Sequence, residues 1–329
     1  MIVRWAMRLW VATCAAVMVF DHGAYAQSME FVTVGNPGNP ADFRHDPSGF
    51  GRVDYTYRIA ETELTVGQYR EFLNAKAGQT DEHGLFNPFM AFQGNITRIG
   101  SGTVEDPYTY WPPEFDFSLD ALPVNFIGIW DVARFANWMH NGQGDGDTET
   151  GAYNHLDELL LTREADARYF IPTEDEWYKA AYFDPAKPGG PGYWEYPTRS
   201  DSSPTAEPPP GLDLVNGSAN FGTFQLTPVG AYTHTLGPYG TYDQGGNLWE
   251  WNETIVLDDQ GFFGLRGGSF DNIYGLEASH QDSYPGDLEN PIMGARLAAS
   301  VPEPSACLLA LVSGIGVVTF RRGRHDSRK

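Results

Sequence analysis

The run Tyr242-Asp243-Gln244-Gly245-Gly246-Asn247-Leu248-Trp249-Glu250-Trp251 sets the strictest condition on what this chain can fold into. Two tryptophans bracket a glutamate at alternate positions, so an extended strand here puts two large rings on one face and a carboxylate on the other. Fifteen residues beyond Trp251 comes Arg266-Gly267-Gly268-Ser269-Phe270. Each run carries a glycine pair, which suits tight turns and close approach of two backbones. An arginine just before such a pair points to a cation held against carboxylates or ring faces.

The two ends of the chain read as addresses. Met1–Ala26 combines Arg4 and Arg8, an apolar run from Leu9 to Phe20, and Ala24-Tyr25-Ala26 as a cleavage site, which together predict a secretory signal peptide. At the other end Val301-Pro302-Glu303-Pro304 precedes an apolar run, Ser305–Phe320, and then Arg321, Arg322 and Arg324. Sixteen residues are slightly short for a full membrane span, and the basic flank fits retention on the cytoplasmic side. The body is therefore expected to be one domain over residues 27–300.

Seven of the 21 basic residues but only two of the 43 acidic ones lie outside residues 27–304, so the body is more acidic than the whole chain's −22. Such a surface repels nucleic acid and anionic lipid and attracts divalent cations. The only cysteines, Cys14 and Cys307, sit in the two terminal segments, which leaves the body without disulfide or thiol chemistry.

Along the body, Gln27–Gly35 and Val53–Ala60 read as strands. Thr65 with Gln68 forms a capping box opening a helix that buries Val66, Tyr69, Phe72 and Leu73. Asn87–Pro113, rich in glycine, proline and aromatics, reads as an irregular surface insertion. Trp130–His140 is a second helix with Val132, Phe135, Ala136 and Met139 inward. In the following loop Asp145, Asp147 and Glu149 alternate, but the glycine and distal glutamate of an EF-hand are missing, so a solvated acidic loop is expected. Thr173 and Glu176 make a second capping box, with Trp177, Ala180 and Ala181 facing inward. Pro185–Gly211 reads as a mobile surface stretch, and short strands alternating with turns are expected from Leu212 to Arg296.

These motifs together resemble the sulfatase-modifying-factor family, whose best-known member is the formylglycine-generating enzyme. Besides the Gly-Asn-x-Trp-Glu-Trp and Arg-Gly-Gly-Ser-aromatic pair, the resemblance runs through Tyr57–Thr65, Leu122–Phe126 with Trp130–Ala133, Ile171–Trp177 and Gly294–Leu297, in order. It implies an α+β fold, an irregular, loop-rich variant of the C-type-lectin-like fold, with few short helices and short, mostly antiparallel strands. The C-terminal Pro-Glu-Pro, apolar run and basic tail over residues 301–329 resemble the PEP-CTERM sorting signal of exopolysaccharide-producing Gram-negative bacteria. That resemblance implies transient anchoring in the inner membrane, handling by an exosortase-type protease, and delivery to the cell surface or extracellular matrix.

The family resemblance also implies site residues. One calcium would be held by the side chains of Asp243 and Glu250 with the carbonyls of Gly246 and Leu248, an all-oxygen set that suits this ion. The competing reading is that Glu250 pairs with Arg266 in the core. A second calcium site would start at Asn220 and Phe221, but the loop Gly222–Thr227 lacks the carboxylate it needs. The two copper-binding thiols of the family enzyme fall on Asn272 and Glu277, neither of which can hold copper(I). Formylglycine formation is thus expected to be lost. Trp249, Trp251, Arg266, Gly267, Gly268 and Ser269 would shape the site.

Of the body's histidines, His45, His83, His140, His155, His234 and His280, only His280 lies in the would-be active segment. No nucleophile elbow, Walker loop or dinucleotide fingerprint is present. Carboxylates are too numerous for an acid–base pair to stand out, so glycoside hydrolysis stays open. Three expectations follow: a calcium-stabilised binder of a peptide or glycan, an oxidoreductase with a non-thiol metal such as iron at His280, or a structural matrix protein.

Overall fold

A computed structural model describes residues 28–156, 160–257 and 261–302. The expected signal peptide with Cys14, and residues 303–329 of the expected sorting signal with Cys307, lie outside the described residues. Among the described residues no helix is long and apolar enough to cross a membrane.

The first pairing is antiparallel, between β1 (Phe31–Val34) and β2 (Tyr57–Ala60). β2 is shorter than the expected Val53–Ala60 because Val53 turns its carbonyl elsewhere, to Gly38 N–H at 2.9 Å and Lys179 Nζ at 3.4 Å. Helix α1 (Val66–Lys76) starts where its box predicts. Thr65 Oγ1 accepts from Gln68 N–H at 3.2 Å and Gln68 Oε1 accepts from Thr65 N–H at 3.0 Å, satisfying two donors at this helix start.

The segment 87–113 corrects the expectation of an irregular surface insertion. It forms α2 (Met90–Gln93) and a hairpin of β3 (Thr97–Ile99) with β4 (Thr109–Trp111), and it sends Met90, Ile96 and Tyr110 fully into the core. Elements of three or four residues are too short to leave a periodic pattern. Helix α3 (Ile129–His140) buries Val132, Phe135, Ala136 and Met139, and Asp131 accepts from Gly128 N–H at 2.9 Å to cap it. In the acidic loop after it, Glu149 pairs with Arg134 at 2.8 Å and Asp147 accepts from Glu149 N–H at 3.1 Å.

After β5 (Tyr169–Phe170), helix α4 (Glu174–Tyr182) opens on the second expected box, Thr173 with Glu176, and buries Trp177, Ala180 and Ala181. Four two-residue strands follow: β6 (Phe183–Asp184), β7 (Gly192–Tyr193), β8 (Thr205–Ala206) and β9 (Ser218–Ala219). Within the supposed surface stretch 185–211, Tyr193 is buried and its hydroxyl accepts from Asn39 Nδ2 at 2.7 Å. No strand forms between Ala219 and Trp249, contrary to the alternation expected there; turns carry the chain instead.

The rest is sheet: β10 (Trp249–Leu257), β11 (Phe262–Arg266), β12 (Asp282–Pro285), β13 (Met293–Gly294) and β14 (Ala298–Ala299). Two four-stranded sheets result, ordered β1-β2-β14-β5 and β12-β11-β10-β13, antiparallel except for the parallel β10–β13 pair. The fold is thus mixed helix and sheet, with short helices and short, mostly antiparallel strands. β10 divides two cores. Trp249 and Trp251 join the large one with Phe263 and Leu265, while Glu250 turns to Trp177 in a smaller one with Tyr178 and Tyr182.

Candidate functional site

The turns ahead of β10 wind tightly. Asp243, Gly246 and Asn247 all have positive φ, +58°, +92° and +61°. At Gly246 a Cβ would stand 2.3 Å from the carbonyl oxygen of Asn220, so only glycine permits this backbone approach. The approach is sealed by Asn247 N–H donating to Asn220 O at 2.7 Å.

Glu250 is fully buried and both its oxygens are engaged. Oε2 accepts from Arg296 Nε at 2.6 Å and Trp177 Nε1 at 2.7 Å, and Oε1 accepts from Arg296 Nη2 at 2.7 Å. Its partner is therefore Arg296 and not Arg266, although Arg266 stands directly opposite Glu250 across the β10–β11 ladder. Arg266 goes instead to Glu174, Nε to Oε1 at 2.6 Å, donates to Ala278 O at 2.8 Å and to His280 O, and lies between the rings of Phe50 and Tyr178 at 4.9 and 5.0 Å. The expectation of a cation held by a carboxylate and ring faces holds for Arg266; only the partner differs.

Glu63, which sequence reasoning missed, completes this centre. Its Oε2 accepts from Asn247 Nδ2 at 2.8 Å and its Oε1 from Leu248 N–H at 3.1 Å. Burial pushes its carboxyl well above the usual range, and the charges of Asp243 and Glu250 push the same way. Asp243, which accepts from Gly230 N–H at 2.6 Å, is pushed up to about 6 by burial. Burial opposes the charge on Arg296, but Glu250, Glu63 and Asp243 outweigh it and hold the guanidinium more firmly charged. Three carboxylates, two buried and that of Asp243 half-buried, thus face one guanidinium. Only side-chain contacts made through tertiary folding reveal Glu63, since Glu61 and Glu63 look alike in sequence.

The expected calcium set fits the ion in two respects and is constrained in a third. Its donors are all oxygen, and the ionised centre would carry two more negative charges than positive ones, which a divalent cation would balance. Glu250, however, is already committed to Arg296 and Trp177. Among the described residues no three Asp, Glu, His or Cys side chains form a metal-holding group. At the expected second site Asn220 is occupied in tying its own loop, donating from Nδ2 to Gln225 O at 3.0 Å and Asn247 Oδ1 at 2.9 Å and accepting from Thr223. Phe221 lines a hollow beside Tyr274 and Glu277.

The segment 269–280 folds over Trp249. At Gly275 a Cβ would lie 2.3 Å from the Trp249 ring, and at Gly268 one would meet Leu276 at 2.8 Å. Asn272, at the first family thiol position, accepts through Oδ1 from both Trp249 Nε1 and Ser269 Oγ, each at 2.7 Å. With that oxygen held twice, the amide nitrogen is the free end. Glu277, at the second position, accepts from Gly275 N–H at 3.2 Å. The His280 ring lies between Trp249 and Tyr274, 5.5 and 5.4 Å from their centroids, and its Nδ1 is 4.0 Å from Glu277, beyond hydrogen-bonding range. Trp249, Ser269, Asn272, Glu277 and His280 are therefore assembled together. Hollows of about 480 and 330 Å³ flank the segment on the sides of Phe270 and of Tyr274.

Comparison with known proteins agrees with this architecture. A family model, the sulfatase-modifying factor enzyme 1-like domain, matches residues 13–301. No curated protein matches the chain. Among solved structures, CarF is similar at 19% identity with a TM-score of 0.51, over 84% of this chain and 99% of CarF. Treponema denticola variable protein 1 is similar at 15% identity and a TM-score of 0.46, over 84% of this chain and 97% of that one. PvdO from Pseudomonas aeruginosa is similar at 15% identity and a TM-score of 0.40, over 83% and 92%. The likeness to CarF is one of fold alone.

Proposed function

Because the chain belongs to the sulfatase-modifying factor enzyme 1-like family, we propose that it is an exported scaffold of that family which no longer oxidises thiols and instead binds a peptide or glycan. The observation that carries this reading is Asn272. It stands where the family's first thiol would be, fixed by Trp249 and Ser269, in a body that contains no cysteine. Side chains held in this way offer hydrogen bonds and aromatic faces to a ligand but no soft donor for copper and no sulfur to exchange.

In this proposal the fold is the C-type-lectin-like variant characteristic of the family. Calcium is its stabilising ion, drawn to Asp243, Gly246, Leu248 and Glu250 with Glu63 supplying further negative charge, and it would supply no chemistry beyond neutralising that centre. Export would follow from the signal peptide at 1–26, and anchoring followed by exosortase release from 301–329. The family-type second calcium at Asn220 and Phe221 forms no part of the reading.

The test is direct. Full-length protein, supplied with copper(I), oxygen and a cysteine peptide, should give no aldehyde, while peptide pull-down or glycan arrays should show saturable binding. Aldehyde formation would overturn the proposal, and so would an absence of saturable binding to every probe. A non-thiol oxidoreductase would have His280 and Glu277 as its nearest pair of ligands; stoichiometric iron in the purified protein would favour it.

A further inference from the structure

We propose that the larger hollow beside the 269–280 segment receives an uncharged sugar unit. This rests on the binding reading above and names the ligand class.

The lining decides the chemistry. Four side-chain amides, Gln93, Asn95, Asn125 and Gln225, share the hollow with the rings of Phe224 and Phe270. An amide both donates and accepts, which matches a hydroxyl that does the same, and a phenyl face suits the apolar C–H face of a sugar ring. At about 480 Å³ the space falls within the usual range for small-ligand pockets. Asp271 is the single charged group in the lining, and no Lys, Arg or His joins it, so an anionic sugar would meet repulsion without a counter-charge. None of the lining residues belongs to a strand, so the pocket offers no sheet edge for an extended peptide to join.

One further observation points to a ligand. Phe224 is 69% exposed and holds φ at +61°, an unfavourable backbone for a bulky residue, yet it adds nothing to either core. It is held there by its own N–H and that of Thr223, both donating to Phe270 O at 3.0 and 2.9 Å. The cost of that conformation and of an exposed ring is accounted for if the ring is presented to a partner.

The experiment is isothermal titration of the full chain with neutral hexasaccharides of glucose, mannose and N-acetylglucosamine, with hexagalacturonate and a cysteine-containing peptide alongside. Two exposed-site variants accompany it: Phe224→Ala, in this hollow, and Ile273→Ser, in the lining of the other. At least one neutral sugar should bind saturably. F224A should weaken it by about tenfold with an unchanged melting temperature, and I273S should leave it unchanged. Binding of the peptide or of hexagalacturonate alone would overturn the sugar assignment and leave the binding proposal standing. So would a neutral sugar that F224A binds as tightly as wild type. No saturable binding by any probe would overturn both.

Discussion

Glu250 and Arg296 meet in a two-pronged ion pair, Oε2 to Nε at 2.6 Å and Oε1 to Nη2 at 2.7 Å, with neither side chain exposed. The remaining donors of Arg296 reach the carbonyls of Ala60, Glu61 and Tyr242, so one guanidinium joins β10, the end of β2 and the turn before the tryptophan pair. Removing one partner leaves the other charge buried and uncompensated. Arg296→Met is expected to lower unfolding free energy by about 3–5 kcal/mol, while the double change Glu250→Leu with Arg296→Met should recover much of it. Urea unfolding of the four proteins in this cycle measures the coupling. A single variant as stable as wild type would mean that the pair does not hold these segments together.

Asp243, half-buried, and Glu63, buried, add two more carboxylates to that centre, and calcium is the proposed remedy for the imbalance. A ligand present at a hundred times its dissociation constant stabilises a fold by about 2.7 kcal/mol. Chelation should therefore lower the melting temperature by several degrees, and added calcium should restore it while magnesium, which demands tighter octahedral geometry, should not. Asp243→Asn should shrink the chelator-dependent shift. A melting curve indifferent to chelator would remove calcium from the account.

Lys179 gives a pH dependence of opposite origin. Its ammonium is fully buried on α4, donating to the carbonyls of Asn36 at 3.0 Å and Val53 at 3.4 Å, and burial lowers its pKa from 10.5 to about 8. Between those two values the unfolded chain holds a proton that the folded chain has released, so the contribution of Lys179 to stability rises with pH across this window. From pH 8 to 9.5 that contribution should grow by about 1–2 kcal/mol, while the buried tyrosines, whose pKa values folding raises from about 10, contribute in the opposite direction. Denaturant titrations at several pH values should show a slope more positive in wild type than in Lys179→Met by this amount. Parallel profiles in the two proteins would show that the buried amine keeps its ordinary affinity for protons.

What could be read beforehand divides by the range of the interaction. Both capping boxes, Thr65 with Gln68 and Thr173 with Glu176, close within three residues, and each opened a helix where expected. Trp249 and Trp251 fall on one face of β10 by simple alternation, and the conjunction of motifs from Tyr57 to Leu297 carried the family. The choice between Arg266 and Arg296 as the partner of Glu250 was illegible. Both are arginines beside a glycine-bearing run, and the strand register even favours the wrong one. Only the packing of α4, which delivers Glu174 to Arg266, separates them. Glu63 was hidden for the same reason. Between Ala219 and Trp249 the strand expectation failed because side-chain bonds such as Asn220 Nδ2 to Gln225 O satisfy the backbone in place of a ladder.

The role of Asn272 can be separated into holding and binding. Its Oδ1 is the acceptor for the indole N–H of Trp249, a residue 3% exposed, and for the hydroxyl of Ser269. Asn272→Ala leaves the indole donor buried without a partner, which costs about 1–3 kcal/mol. Asn272→Asp keeps an oxygen in the same place and should unfold close to wild type, but it replaces the outward amide donors with a second acceptor. Ligand affinity should then fall in N272D while stability is retained, and both should fall in N272A. Parallel denaturation and titration of the two variants reads this out. Wild-type stability in N272A would mean that the two hydrogen bonds are dispensable; wild-type affinity in N272D would mean that the amide does not face the ligand.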